Sequence, residues 1–220
     1  MKINYILLIA FSVLLFSCDQ QAKETKPQQK EEYKPIEITP EQVINISLDD
    51  STKKALLQQG KTMAAEMQNT FQVKMRKAIK EGGMLHAIEY CNESAMQISD
   101  SVSYAKQAII KRLATKNRNP NNRMNDQEKR IYKDFVLAWI SNTPMRPRIQ
   151  INAQHKPVYY APITMRPICL NCHGNVEKDI NPDVASKIKE LYPNDKAIDF
   201  KAVDMRGMWK ITFPGYYINQ

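Results

Sequence analysis

The order of segments along the chain predicts an α+β domain, with long helices first and an antiparallel sheet after them. Apolar residues recur three or four apart between residues 51 and 99, which is the helical period. Beyond Pro144 and Pro147 the period changes to two, the signature of strands with one buried face. Once a leader and a tether are set aside, about 180 of the 220 residues remain, the length of a single domain.

The leader is residues 1–17. It carries one positive charge, Lys2, and then an apolar run from Tyr5 to Phe16. That run is shorter than the ~20 residues of a membrane-spanning helix and fits the apolar core of a secretory signal. Leu15-Phe16-Ser17-Cys18 resembles the bacterial lipoprotein processing box, in which cleavage leaves an acylated cysteine at the new N-terminus. Acylation of Cys18 would anchor the protein, since each buried methylene contributes about 0.8 kcal/mol. An ordinary signal peptide with a chance cysteine is the plainer alternative. Residues 18–45 then read as the lipidated cysteine and a flexible tether. They are rich in Lys, Glu, Gln and Pro and too poor in large apolar side chains to offset their ordering entropy. The folded domain is expected over 46–220.

Within it, Leu56, Gly60, Met63, Met67, Phe71, Met75 and Ile79 form one stripe of a helix over 51–80, with Ser51 as its cap. Gly82-Gly83 breaks it. A second helix is expected from Met84 to Ser99, with Met84, Ala87, Ile88, Cys91, Ala95 and Ile98 on a common face. Tyr104 to Leu113 favours a strand, and residues 116–125 form a polar loop dense in turn formers. Asn125 and Glu128 have capping-box spacing for a third helix over 126–141, with Ile131, Phe135, Trp139 and Ile140 on its buried face. Arg148 to Ala153 and Val158 to Ile163 read as two strands joined by a turn at Gln154-His155-Lys156. Pro182 to Leu191 reads as a short helix with proline in its first turn. Residues 197–203 and 207–214 read as a closing hairpin.

The segment that carries chemistry is Cys169-Leu170-Asn171-Cys172-His173. Covalent haem attachment needs two thiols that reach the two vinyl groups of one porphyrin and an imidazole that meets the iron from the same segment. Two cysteines separated by two residues, with histidine next, meet that requirement. Cys169 and Cys172 would form the thioethers, and His173 would be the proximal iron ligand. A zinc site would need a second Cys or His pair at set spacing, and His86 and His155 are isolated in sequence. A thioredoxin-like dithiol would follow a strand, and Met165-Arg166-Pro167-Ile168 makes a poor one.

The chain carries a formal net charge of +9, one unit of which leaves with Lys2. A basic surface can attract anionic lipid or an acidic redox partner, although plain solubility explains it as well. Lys and Arg are scattered among acids, so no nucleic-acid partner is expected.

Several pieces of the chain together resemble a family of exported haem c proteins, best known from a cyanobacterial member, with a PAS-like sheet and long N-terminal helices. They are Ala87-Ile88-Glu89-Tyr90-Cys91 with Ala95, the Arg118-Asn119-Pro120-Asn121-Asn122 loop, Cys169 to Gly174, and the tail from Asp199 to Gly207. The resemblance spans roughly residues 50–215 and departs at Asp199 and Val203, near which the family has glycines. It implies a PAS-like α+β fold with one covalent haem c, whose iron is held by His173 and, from the opposite side, by the thiolate of Cys91. It also implies that the loop of Arg118 lies near the haem. There Arg118 could pair with a propionate or simply order the loop.

The residues themselves make Cys91 a candidate beside that resemblance. It is the cysteine left over after lipidation and haem attachment, and an unpaired cysteine in an exported protein calls for an explanation. Its alternative is a buried small hydrophobe. His86 lies five residues earlier, about 140° around the helix, so it and Cys91 do not face one iron. His155, in a turn, is expected in solvent.

The expected function is one-electron transfer or redox sensing by a haem protein anchored to the inner or outer membrane on the periplasmic side of the cell envelope. It would act with a separate redox or signalling partner. A thiolate ligand favours ferric iron and a low potential. A gas or small-ligand sensor module acting through a partner is the alternative. Catalysis is not expected, because a peroxidase wants an open site with distal acid–base residues.

Overall fold

The computed structural model describes residues 44–218. The expected signal peptide, the acylated Cys18 and the tether up to residue 43 lie outside the described residues. Among the described residues no helix is long and apolar enough to cross a membrane.

The chain enters through strand β1 (Ile44–Ile46), which pairs in parallel with the last strand, β6 (Tyr216–Ile218). Strand β1 starts two residues ahead of the expected domain start at residue 46. Helix α1 (Asp50–Ala105) follows. Asp49 caps it, its carboxylate accepting from the Thr52 amide and the Ser51 hydroxyl at 2.8 Å each, so the cap is Asp49 and not Ser51. The helix is broken at Gly82 and Gly83, and Gly83 takes a left-handed φ of 74°. The break falls where the glycine pair predicts it. The second segment, however, runs past Ser99 to Ala105, so the strand expected from Tyr104 shrinks to β2 (Ile109–Leu113).

Helix α2 (Asp126–Ile140) starts in the expected capping box: Asn125 Oδ1 accepts from the Glu128 amide, and Glu128 Oε2 accepts from the Asn125 amide, both at 2.8 Å. Ile131 and Phe135 are buried as predicted, but Trp139 and Ile140 at the end of the helix are exposed. Strands β3 (Arg148–Ile151) and β4 (Pro157–Thr164) form the expected hairpin. After it come the four-residue helix α3 (Leu170–His173), helix α4 (Pro182–Leu191) and strand β5 (Met205–Thr212).

Four strands make an antiparallel sheet in the order β2-β5-β4-β3. The closing hairpin expected over 197–214 does not form. Residues 197–203 contain no strand, and β5 lies between β2 and β4 in the sheet interior. The reason is visible in its side chains. Met208, Trp209 and Ile211 are all buried, as befits a strand covered on both faces. The first segment of α1 covers one face, with Leu56, Ala64 and Met67 against Tyr159, Trp209 and Ile211. Helix α2 covers the other, with Ile131 and Phe135 against Val158, Tyr160 and Met208. Helix α4 packs instead on the second segment of α1, through Val184 and Ile188 against Ile88.

Candidate functional site

Two structural units bring the motif to Cys91. On one side, Ile88 of α1 joins a cluster with Ile180, Val184 and Ile188, and Cys172 packs against that cluster. Cys91 is one helical turn beyond Ile88 and so faces the motif segment. On the other side, Cys169 and Leu170 pack against Met165, Ala197 and Phe200. The three cysteines are free thiols, all half-buried. Cys91, Cys169 and Cys172 lie near enough to influence one another's ionisation. Burial pushes the Cys172 thiol up to about 11. Burial also raises that of Cys91, against the opposing pull of Arg112 and Arg118.

His173 is held by one directional bond. Its Nδ1 lies 2.7 Å from the carbonyl of Ala197. A carbonyl only accepts, so Nδ1 carries the proton and Nε2 keeps a lone pair available for a metal. The ring meets the edge of Phe200 with centroids 6.4 Å apart. Burial first, then the positive charge of Arg206 and Arg118, holds the imidazole well below its ordinary pKa, which keeps it neutral.

Arg118 ties the site together. Its Nη2 donates to the carbonyl of Cys172 at 2.6 Å, and its Nε and Nη2 donate to Asp195 Oδ2 at 3.1 and 2.9 Å. The Arg118–Asp195 pair is nearly buried, with side-chain exposures of 11% and 8%. Protein groups thus occupy Nε and Nη2 of the guanidinium, contacts that fit the loop-ordering role. The Arg118 to Asn122 loop, whose turn at Pro120–Asn122 is capped by Asn119, does reach the motif as the resemblance implies.

Three cations near the motif went unnoticed in the sequence: Arg112 on β2, Lys116 after it, and Arg206 on β5. Nothing in their spacing marks them, because Arg206 is distant in the chain from Arg112 and Lys116 and meets them only when β2 pairs with β5. Of the remaining histidines, His86 is exposed as expected. His155 is half-buried, stacked on Tyr217 with centroids 5.3 Å apart, and so is not simply solvated. Among the described residues no three His, Cys, Asp or Glu side chains converge on a bare metal ion. His173 and Cys91 are the side chains of this site that could ligate a haem iron. A cavity of ≈ 180 Å³ beside Tyr192, Asp195 and Ile198 includes none of these ligands in its lining.

The chain matches the family model described as Tll0287-like (Tll0287) over residues 49–214. Among solved structures it is similar to the cyanobacterial heme-protein Tll0287, at 25% identity, covering 56% of this chain and 71% of that one, with a TM-score of 0.46. No curated protein matches it.

Proposed function

The chain belongs to the Tll0287-like family, and we propose that it is a c-type haem protein that transfers or senses single electrons at a membrane surface. The observation that carries this is the bond from His173 Nδ1 to Ala197 within a motif that supplies two thiols. It leaves Nε2 as the metal-binding nitrogen on the segment that holds the thioether cysteines. Cys169 and Cys172 would hold the haem through thioethers, and His173 and Cys91 would ligate its iron.

Held at Cys169 and Cys172, the haem would supply a one-electron couple for exchange with a separate partner protein. The chain's own residues set the terms of that exchange. Ala197 fixes the imidazole tautomer and ring orientation. Arg118 fixes the Cys172 backbone, and Phe200 packs on the imidazole edge. Cys91, as a thiolate, favours the oxidised state and a low potential. With His173 and Cys91 both bound, the iron would have no open position, which argues for electron exchange over oxygen or peroxide chemistry. The fold is PAS-like, with a four-stranded antiparallel sheet between helices. The N-terminal sequence supports export and a lipid anchor at Cys18, on the periplasmic side of the inner or outer membrane.

The test is the optical and low-temperature EPR spectrum of the oxidised, exported protein beside Cys91→Ser. A low-spin thiolate signature that vanishes in the variant is expected. A spectrum untouched by the substitution removes Cys91 as ligand, and absence of haem from the exported wild type sinks the reading.

A further inference from the structure

Four cations gather around the motif segment: Arg112, Lys116, Arg118 and Arg206. Asp195 is the carboxylate that pairs within this group, and Arg118 takes it. Lys116 donates its Nζ to the Ile198 carbonyl and sits 4.4 Å from the centroid of the Phe200 ring. Arg206 donates to the Lys116 carbonyl at 3.0 Å, and its guanidinium carbon lies 5.3 Å from the same ring. Arg112 lies 5.1 Å over the Phe71 ring and has no hydrogen-bond or ion-pair partner among the described residues. With one carboxylate against four cations, the cluster holds a surplus of three positive charges. Burial, together with repulsion from Arg112 and Arg118, brings Arg206 down to about 9.

Arg112 and Arg206 are only partly exposed, so their mutual repulsion is weakly screened by solvent, and an anion beside them would offset it. The backbone places these groups deliberately. Thr164 pairs with Met205 and Ile163 with Gly207, so Arg206 is the extra residue of a β-bulge. A bulge takes a side chain out of the strand's alternation and re-aims it. Met205 and Met208 both stay in the core against α2, while Arg206 turns toward Phe200 beside the motif. Arg112 shares the face of Ile110 on β2, the face on which α1 packs, and lies close enough to His173 and Cys91 to act on both electrostatically.

We propose that Arg112 and Arg206, with Lys116 beside them, form a binding site for two carboxylates, the propionates of the haem attached at Cys169 and Cys172. The assignment rests on the haem reading above. Two guanidinium groups suit two carboxylates because each can donate two parallel hydrogen bonds. Arg118, committed to Asp195, positions the backbone instead.

The test compares exported, haem-loaded wild type with Arg112→Gln, Arg206→Gln and the distant Lys61→Gln, by resonance Raman spectroscopy of the propionate bending bands and by spectroelectrochemistry. Both arginine variants are expected to shift those bands and to move the potential in the negative direction, since a lost cation stabilises the reduced state less. Lys61→Gln should do neither. If a glutamine variant does not accumulate, Arg112→Lys and Arg206→Lys carry the test. They keep the charge but lose the paired donors, so the bands should still shift while the potential holds. Bands and potential that ignore both arginines in a haem-loaded protein overturn the assignment alone. So does a potential that follows added inorganic phosphate while the propionate bands stay fixed, which would give the site to a free anion. A wild type without haem overturns the underlying reading.

Discussion

His173 and Cys172 are neighbours in sequence, yet they are also joined through a separate loop of hydrogen bonds. His173 Nδ1 donates to the Ala197 carbonyl at 2.7 Å, and the Ala197 amide donates to Asp195 Oδ1 at 2.8 Å. Asp195 Oδ2 accepts from Arg118, whose Nη2 donates to the Cys172 carbonyl at 2.6 Å. The motif's imidazole and its second thiol are therefore oriented by one closed circuit. Asp195 is its hub, joining the arginine to the Ala197 amide, and Arg118 Nη2 also reaches the Ala197 carbonyl directly at 3.4 Å.

Asp195→Ala should accordingly damage the site more than an exposed ion pair would. It strands a nearly buried guanidinium and releases the Ala197 amide, at a cost of about 3–5 kcal/mol by the precedent of broken buried pairs. Urea unfolding should show the loss, and haem yield per polypeptide should fall. A variant with wild-type stability and loading would show that the circuit is ornamental.

Gly60→Ala offers a sign test. In an exposed helix, glycine to alanine stabilises by about 1 kcal/mol. Here the added Cβ would sit 2.3 Å from Cγ of the Tyr159 ring, which is itself buried at the α1–β4 contact. Overpacking of this kind costs about 1–3 kcal/mol, so the net change should be destabilising. A midpoint that rises in thermal unfolding would mean that α1 does not seat so closely on β4.

Val203→Gly should do the reverse. Val203 takes φ 67°, a left-handed value that a β-branched side chain resists, and its side chain is exposed. Its amide still donates to the Met165 carbonyl at 3.0 Å, a bond glycine keeps. Relief of roughly 1–2 kcal/mol of strain, less the added freedom of glycine, should raise the melting midpoint by about 2–4 °C. Asp199, also left-handed at 59°, should gain less from the same change because aspartate tolerates that region.

Glu128→Ala should loosen α2 from the sheet. Glu128 is buried, closes the helix cap through the Asn125 amide, and accepts from Lys210 Nζ of β5 at 2.6 Å. Losing the cap costs about 1 kcal/mol, and leaving Lys210 unpaired adds to it. Chemical denaturation should report at least 2 kcal/mol in total, whereas Lys129→Ala, which breaks an exposed pair with Asp126, should change little.

Cys169→Ser with Cys172→Ser should abolish haem that survives denaturation. Haem staining of a denaturing gel, positive for wild type and negative for the double variant, is the expected pair of results.

Local signals decided much of the fold in advance. The period of three to four residues marks α1, Gly82-Gly83 marks its break, Asn125 with Glu128 marks the start of α2, and Pro182 marks α4. These features depend on neighbours within a turn or two, so the chain alone specifies them. Segments whose state depends on remote partners were misread. Met205–Thr212 is apolar on both faces because helices cover both, and nothing local distinguishes an interior strand from an arm of a hairpin. The cap at Asp49 and the exposure of Trp139 were missed because each depends on where the chain runs beyond the window read.

The motif from Cys169 to His173 needs only its spacing to be recognised, because thiols and imidazole on one short segment are placed by the segment itself. The sequence alone therefore singles out Cys169, Cys172 and His173 as candidates for haem attachment, Cys91 through its likeness, and residues 1–17 as an expected leader. Tertiary structure decided the surroundings: which tautomer His173 holds, that Arg118 is spent on Asp195, and that Arg112 and Arg206 come to the motif from two different strands. Hydrogen bonds and charges act over a few ångströms of space whatever the separation along the chain, so groups ninety positions apart meet only once β2 lies against β5.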